Sequence, residues 1–236
     1  RRGIGPAYAD KAYRVGLRAS DLLDLGRLEE KLREQIARYN GIFSSKDIAT
    51  LDGDTEWAAL RQTAEALAPM VSDTVISVNQ AIKDGKKVLC EGAQGMGLDI
   101  DYGTYPYVTS SNTTSGAACT GAGIAPRRID HVIGIAKAYT TRVGEGPFPT
   151  ELDEVAGNAL REAGREFGAT TGRPRRCGWF DAVASRYSVM VNGVDNLAIT
   201  KLDVLDDLDE IGICTGYRMN GDIVDHMPDN IDDLAT

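Results

Sequence analysis

The residues best able to do chemistry lie in four short stretches. Gly168-Ala169-Thr170-Thr171-Gly172-Arg173-Pro174-Arg175-Arg176 sets two hydroxyls beside three arginines, next to Trp179. The guanidinium fork matches a carboxylate or phosphate in bidentate fashion, so this loop suits closure over an anionic substrate. The alternative is a solvated basic loop. Thr200-Lys201-Leu202-Asp203 ends an apolar run. A lysine lying along a purine, with an aspartate accepting from N1–H and the 2-amino group, would read guanine and leave adenine unpaired. The same four residues could equally be a strand end and a helix cap.

The other two stretches are rich in small residues. Gly92-Ala93-Gln94-Gly95-Met96-Gly97 fits neither Gly-x-Gly-x-x-Gly nor the nucleotide loop ending Gly-Lys-Ser/Thr. Its glycines let backbone N–H groups approach a ligand, and Gln94 offers an acceptor and two donors to a base edge. A plain tight turn is the competing reading. Thr104 to Thr114 gathers hydroxyls that could bind phosphate oxygens or could simply build turns.

These loops need elements to hold them. Residues 8–39 read as helical, with a stop at Asn40-Gly41. Residues 56–82 read as one long helix or two, broken at Pro69. Lys87–Glu91 suits a strand leading into the Gln94 loop, and 132–139, 196–200 and 210–215 read as further strands. Residues 115–125, 152–167 and 180–192 read as helices, the second capped from Thr150 with Asp153 three residues on. Strands alternate with helices and polar loops follow strand ends, which is an α/β arrangement with ligands expected beyond parallel strands. No linker rich in Pro, Gly and Ser marks a boundary, so residues 1–236 read as a single unit.

Composition narrows the function. The 236 residues carry 26 Lys+Arg against 35 Asp+Glu, a net charge of −9, so small anionic ligands suit the local basic clusters better than nucleic acid does. The acidic run after Asp203 lacks the calcium-loop pattern. Cys90, Cys119, Cys177 and Cys214 have no metal-ligand spacing, His131 and His226 join no ligand cluster, and a reduced cytoplasmic location is expected. No apolar stretch is long enough to span a membrane.

Taken together and in order, six motifs resemble adenylosuccinate synthetases. They are Arg2-Gly-Ile-Gly-Pro-Ala-Tyr8, Glu91-Gly-Ala-Gln-Gly95, Gly103-Thr-Tyr-Pro-Tyr-Val-Thr-Ser-Ser-Asn-Thr113, Lys137-Ala-Tyr-Thr-Thr-Arg-Val-Gly144, Gly168-Ala-Thr-Thr-Gly-Arg173 and Thr200-Lys-Leu-Asp203. The resemblance runs from Arg2 to about Tyr217. It implies a fold similar to P-loop NTPases, with a mostly parallel central sheet flanked by helices and long ligand-binding loops. It also implies GTP- and Mg²⁺-dependent joining of IMP to L-aspartate through 6-phosphoryl-IMP.

The resemblance further implies residue roles. Gln94 matches the glutamine that holds the IMP base and steadies the intermediate. Leu98, Thr109 and Val143 match IMP-pocket positions. Arg14 resembles the arginine that reaches the neighbouring subunit's IMP phosphate, which implies a homodimer. Lys11 and Arg18 lie nearby. Thr170, Thr171 and Arg173 match the aspartate-binding loop, and Arg175 a second arginine serving aspartate or GTP. Lys201 and Asp203 match the guanine-reading pair. Tyr102, Met96-Gly97 and Pro174 depart from the family pattern without removing any of these side chains. The family's phosphate loop, with its catalytic Asp and His and main Mg²⁺ groups, and its C-terminal segment are not matched within residues 1–236. The expectation is therefore a catalytic-core portion that does not turn over alone. Two alternatives stay open: a nucleotide-binding or dimerisation module, and a different α/β nucleotide enzyme.

Overall fold

The computed structural model describes residues 3–168, 172–228 and 230–234. They divide into two compact units, 1–86 and 87–236. The division falls just past a helix C-cap at Asp84, where no linker rich in Pro, Gly and Ser marks it.

The first unit is helical. It contains α1 (Ile4–Tyr13), a 3-10 helix (Ala19–Leu23), α2 (Leu25–Ser44), α3 (Gly53–Leu67) and α4 (Thr74–Lys83). Aspartates start the last three. Asp24, Asp52 and Asp73 accept from the backbone N–H of Arg27, Thr55 and Ile76, meeting donors that a helix start leaves unpaired. Pro69 sits in a 3-10 turn between α3 and α4, where the sequence placed a break. Leu28, Ile36 and Ala64 are buried. Two buried carboxylates tie the unit together: Asp10 accepts from Tyr39 at 3.0 Å and from Arg38, and Asp21 accepts from Lys31 at 2.6 Å.

The helix stop expected at Asn40-Gly41 is not used. The Asn40 amide exchanges two hydrogen bonds with the Leu51 backbone, at 2.8 and 2.9 Å, and α2 runs on to Ser44. Asp47 then takes the left-handed turn at φ 54°.

The second unit is α/β. Strand β1 (Ile133–Lys137) pairs in parallel with β5 (Asn196–Thr200), Ile133 opposite Asn196 and Lys137 opposite Thr200. Strand β2 (Thr140–Arg142) pairs antiparallel with β3 (Arg176–Gly178), and β4 (Phe180–Asp181) pairs in parallel with β6 (Ile213–Cys214). Strands β7 (Tyr217–Met219) and β8 (Asp222–Val224) form a hairpin through Asn220-Gly221, both at positive φ as a tight primed turn requires. The helices are α5 (Ala117–Ala122), α6 (Glu154–Gly164) and α7 (Ala182–Asn192). The α/β class therefore holds. In place of the mostly parallel central sheet expected, the described residues form four separate two-stranded pairs, two parallel and two antiparallel. One antiparallel pair is the local hairpin and the other brings together strands on either side of α6, pairings that periodicity does not reveal.

Two sequence expectations fail here. Lys87–Glu91 forms no strand among the described residues, and Leu89 is 89% exposed. An extended apolar run becomes a strand only where a partner accepts its ladder. Helix α6 is capped by Asp153, which accepts from Ala156 N–H at 2.8 Å, and not from Thr150. Among the described residues the buried Thr150 hydroxyl has no hydrogen-bond partner.

Tyr139, Leu160, Cys177 and Leu205 form one core cluster, packed by Ala138, Leu152 and Val204. It seats the turn after β5 against the inner face of α6. Val183, Tyr217 and Leu234 form a second. No described helix is long and apolar enough to cross a membrane.

Candidate functional site

The loop from Gln94 to Thr114 is organised by one carboxylate. Asp99 is fully buried and accepts from the backbone N–H of Asp101 (2.9 Å), Tyr102 (3.0 Å), Thr113 (2.6 Å) and Thr114 (3.2 Å). Burial works to raise its carboxyl, but these N–H donors outweigh that and hold it below the ordinary aspartate value. Gly103 passes so close that a Cβ there would meet the backbone of Asp99 and Gly97. A side chain at 103 would therefore break the loop.

This network gathers the predicted nucleotide positions. Thr109 donates its N–H to the Leu98 carbonyl at 2.9 Å. Thr113 donates its hydroxyl to the Gly95 carbonyl at 2.9 Å, fixing the residue after Gln94. Gln94 is exposed and left-handed at φ 63°. Arg142, at the end of β2 and next to Val143, donates to Thr104 Oγ1 at 3.0 Å and to the Tyr107 carbonyl at 3.2 Å. Leu98, Thr109 and the strand end before Val143 are thus joined through one hydrogen-bonded frame.

The basic loop has a second carboxylate at its base. Glu166 is 1% exposed and lies just beyond α6. It accepts from Lys137 Nζ at 2.7 Å, Tyr139 Oη at 2.6 Å and Arg175 Nη1 at 2.6 Å. Burial again acts to raise the carboxyl, and the Lys137, Tyr139 and Arg175 bonds win, leaving it below the usual glutamate value. Burial and the same carboxylate push the Tyr139 phenol well up. Backbone rungs close the loop above it. Arg175 N–H donates to the Glu166 carbonyl at 2.9 Å and Gly168 N–H to the Arg173 carbonyl at 2.8 Å, with Phe167 bridged to Pro174. Arg173 is exposed. Thr170 and Thr171 lie outside the described residues.

The guanine-type pair stands beside this base. Lys201 is left-handed at φ 62°, and its Nζ donates to the Gly164 carbonyl at 2.6 Å. Asp203 is exposed in the following 3-10 turn. Arg14 belongs to the first unit, exposed at the left-handed C-cap of α1. Asp99 and Glu166 escaped the sequence reading. An Asp before a run rich in Ser, Thr and Asn, and a lone Glu before a basic loop, were the available signals.

No cluster of three or more His, Cys, Asp or Glu side chains among the described residues could hold a metal.

Fold and loops together define an α/β protein with two polar loops, each organised by a buried carboxylate. The family model for adenylosuccinate synthetase matches residues 1–236, and the chain belongs to that family. It is 54% identical over 235 residues to adenylosuccinate synthetase of Prochlorococcus marinus (strain MIT 9313), covering 99% of this chain and 54% of that protein. It is 53% identical over 237 residues to the enzyme of Caldanaerobacter subterraneus subsp. tengcongensis, covering 99% and 55%. The fully ligated adenylosuccinate synthetase structure from Plasmodium falciparum superposes with a TM-score of 0.89 at 40% identity, covering 94% of this chain and 52% of that one. The chain spans about half the length of the curated relatives it matches.

Proposed function

We propose that this chain supplies the substrate-gathering half of a GTP-dependent ligase joining IMP and L-aspartate into adenylosuccinate. Phosphorylating the 6-oxygen of IMP turns a poor leaving group into a good one. The aspartate amine then attacks C6 and phosphate departs. Gln94, Leu98, Thr109 and Val143 hold IMP, with Gln94 donating to the base near the reacting oxygen and steadying the intermediate. Thr170, Thr171 and Arg173 take L-aspartate, Arg173 pairing with a carboxylate. Arg175, Lys201 and Asp203 take GTP, with Asp203 accepting from the guanine edge. Mg²⁺ accompanies the nucleotide phosphates. In a homodimer, Arg14 of one subunit serves the IMP phosphate of the other. A cytoplasmic enzyme without nucleic-acid or membrane partners is the setting.

The observation that carries this reading is the frame joining Leu98, Thr109 and the strand end before Val143, in a chain matching the family throughout. Calorimetric titration of IMP into the complete protein tests it. Saturable binding is expected, weakened about tenfold by Gln94→Ala, the loss of one or two hydrogen bonds to the base. An unchanged isotherm for Gln94→Ala, or no IMP binding by the parent protein, overturns it.

A further inference from the structure

The carboxylate of Glu166 spans two parts of the second unit. On one side it holds Arg175, at the last rung before the basic loop. On the other it holds Lys137 at the end of β1 and Tyr139 just beyond it. Its position decides how the loop root sits against the strands. A hub serving stability alone could be apolar, since replacing buried ion pairs by packed hydrophobic groups is often neutral or stabilising. Here the carboxylate instead meets two cations, one of them on the substrate loop itself.

We propose that Glu166 is a positioning residue for L-aspartate. It holds Arg175, two residues from Arg173, so that Arg173 stands in the orientation the amino-acid carboxylate needs. This rests on the functional reading above and deepens it. The IMP side is organised separately by Asp99, so the two substrates should respond differently.

The test is steady-state kinetics of the complete protein at saturating GTP and Mg²⁺. Glu166→Gln keeps the shape and removes the charge, and Glu166→Asp keeps the charge and shortens the reach. For Glu166→Gln the KM for L-aspartate should rise about tenfold or more, as expected when a charge-assisted clamp is lost. Its kcat should stay within about threefold and its KM for IMP within about twofold, since neither depends on the clamp. Glu166→Asp should fall between the two proteins. An unchanged KM for aspartate overturns the proposal, as does a parallel rise in both KM values, which marks general loosening.

A second readout is independent of turnover. Trypsin should cut Glu166→Gln faster between Arg175 and Arg176, relative to cutting after Arg218, than it cuts the parent. Equal ratios refute the clamp. If the parent makes no adenylosuccinate, the functional reading fails and the aspartate role with it, while the cleavage ratio still decides whether Glu166 holds the loop base.

Discussion

Lys201 donates its ammonium to the Gly164 carbonyl at 2.6 Å, tying the turn after β5 to the last turn of α6. That carbonyl is one of those a helix C-terminus leaves without an intrahelical donor. The lysine assigned to guanine thus has a structural partner two residues before Glu166. Lys201 and the root of the basic loop are neighbours in the fold.

The first prediction concerns that pair. Lys201→Ala should raise the KM for GTP about tenfold through lost packing on the base, at a stability cost of only about 1 kcal/mol for one hydrogen bond. Asp203→Asn should narrow the preference for GTP over ITP, because the carboxylate no longer reads the 2-amino group. Initial rates with the two nucleotides check both. An unchanged GTP/ITP ratio in Asp203→Asn would remove Asp203 from base recognition.

Gly164 is the tightest point of this region. A Cβ there would collide with the Tyr139 hydroxyl and lie 3.1 Å from Glu166 Cγ. Tyr139 cannot yield without lengthening its 2.6 Å bond to Glu166. Gly164→Ala should therefore destabilise the protein by about 2 kcal/mol, in the range of overpacking, although alanine is the better helix former. Urea denaturation measures it. A stabilised Gly164→Ala would mean that the Tyr139–Glu166 contact is dispensable.

Asp99 should behave differently. Asp99→Asn leaves an acceptor but removes the charge that collects four N–H donors, so a loss of about 2–3 kcal/mol is expected. The KM for IMP should rise with it, while the KM for aspartate stays near the parent value. Thermal unfolding and kinetics on one preparation separate the two effects. A normal KM for IMP would show that Leu98 and Thr109 keep their places without the carboxylate.

Acid should expose both hubs. Asp99 and Glu166 titrate below their ordinary values of 3.8 and 4.5, so the folded state binds their protons less readily than the unfolded chain does. Their stabilisation is complete above about pH 4.5 and is lost as pH falls through the depressed folded values. Denaturation midpoints followed from pH 7 to pH 3 should drop steeply in the parent and more gently in an Asp99→Asn/Glu166→Gln double variant. Parallel curves would mean that other carboxylates govern acid unfolding.

Much of this was legible in the residues. The strands read at 132–139 and 196–200, the Pro69 break and the polar loops announce themselves by pattern, while the pairing of the two strands does not. Local chemistry could not reveal what depends on distant partners. Lys87–Glu91 has a strand's composition without a strand's neighbours. Asn40-Gly41 has a stop's composition, but Leu51 occupies the Asn40 amide. The site followed the same rule. Its ligand-type residues stand out by type and order, whereas Asp99 and Glu166 become visible only when 14 or 29 residues of sequence separation close to hydrogen-bond distance.

The most direct test of the central claim is adenylosuccinate formation by the complete protein, followed by absorbance while each of IMP, L-aspartate, GTP and Mg²⁺ is omitted in turn. The account predicts product only with all four present, and little with ATP in place of GTP. Product formed without IMP or aspartate dependence, equal rates with ATP, or no product at all from the complete mixture would contradict it.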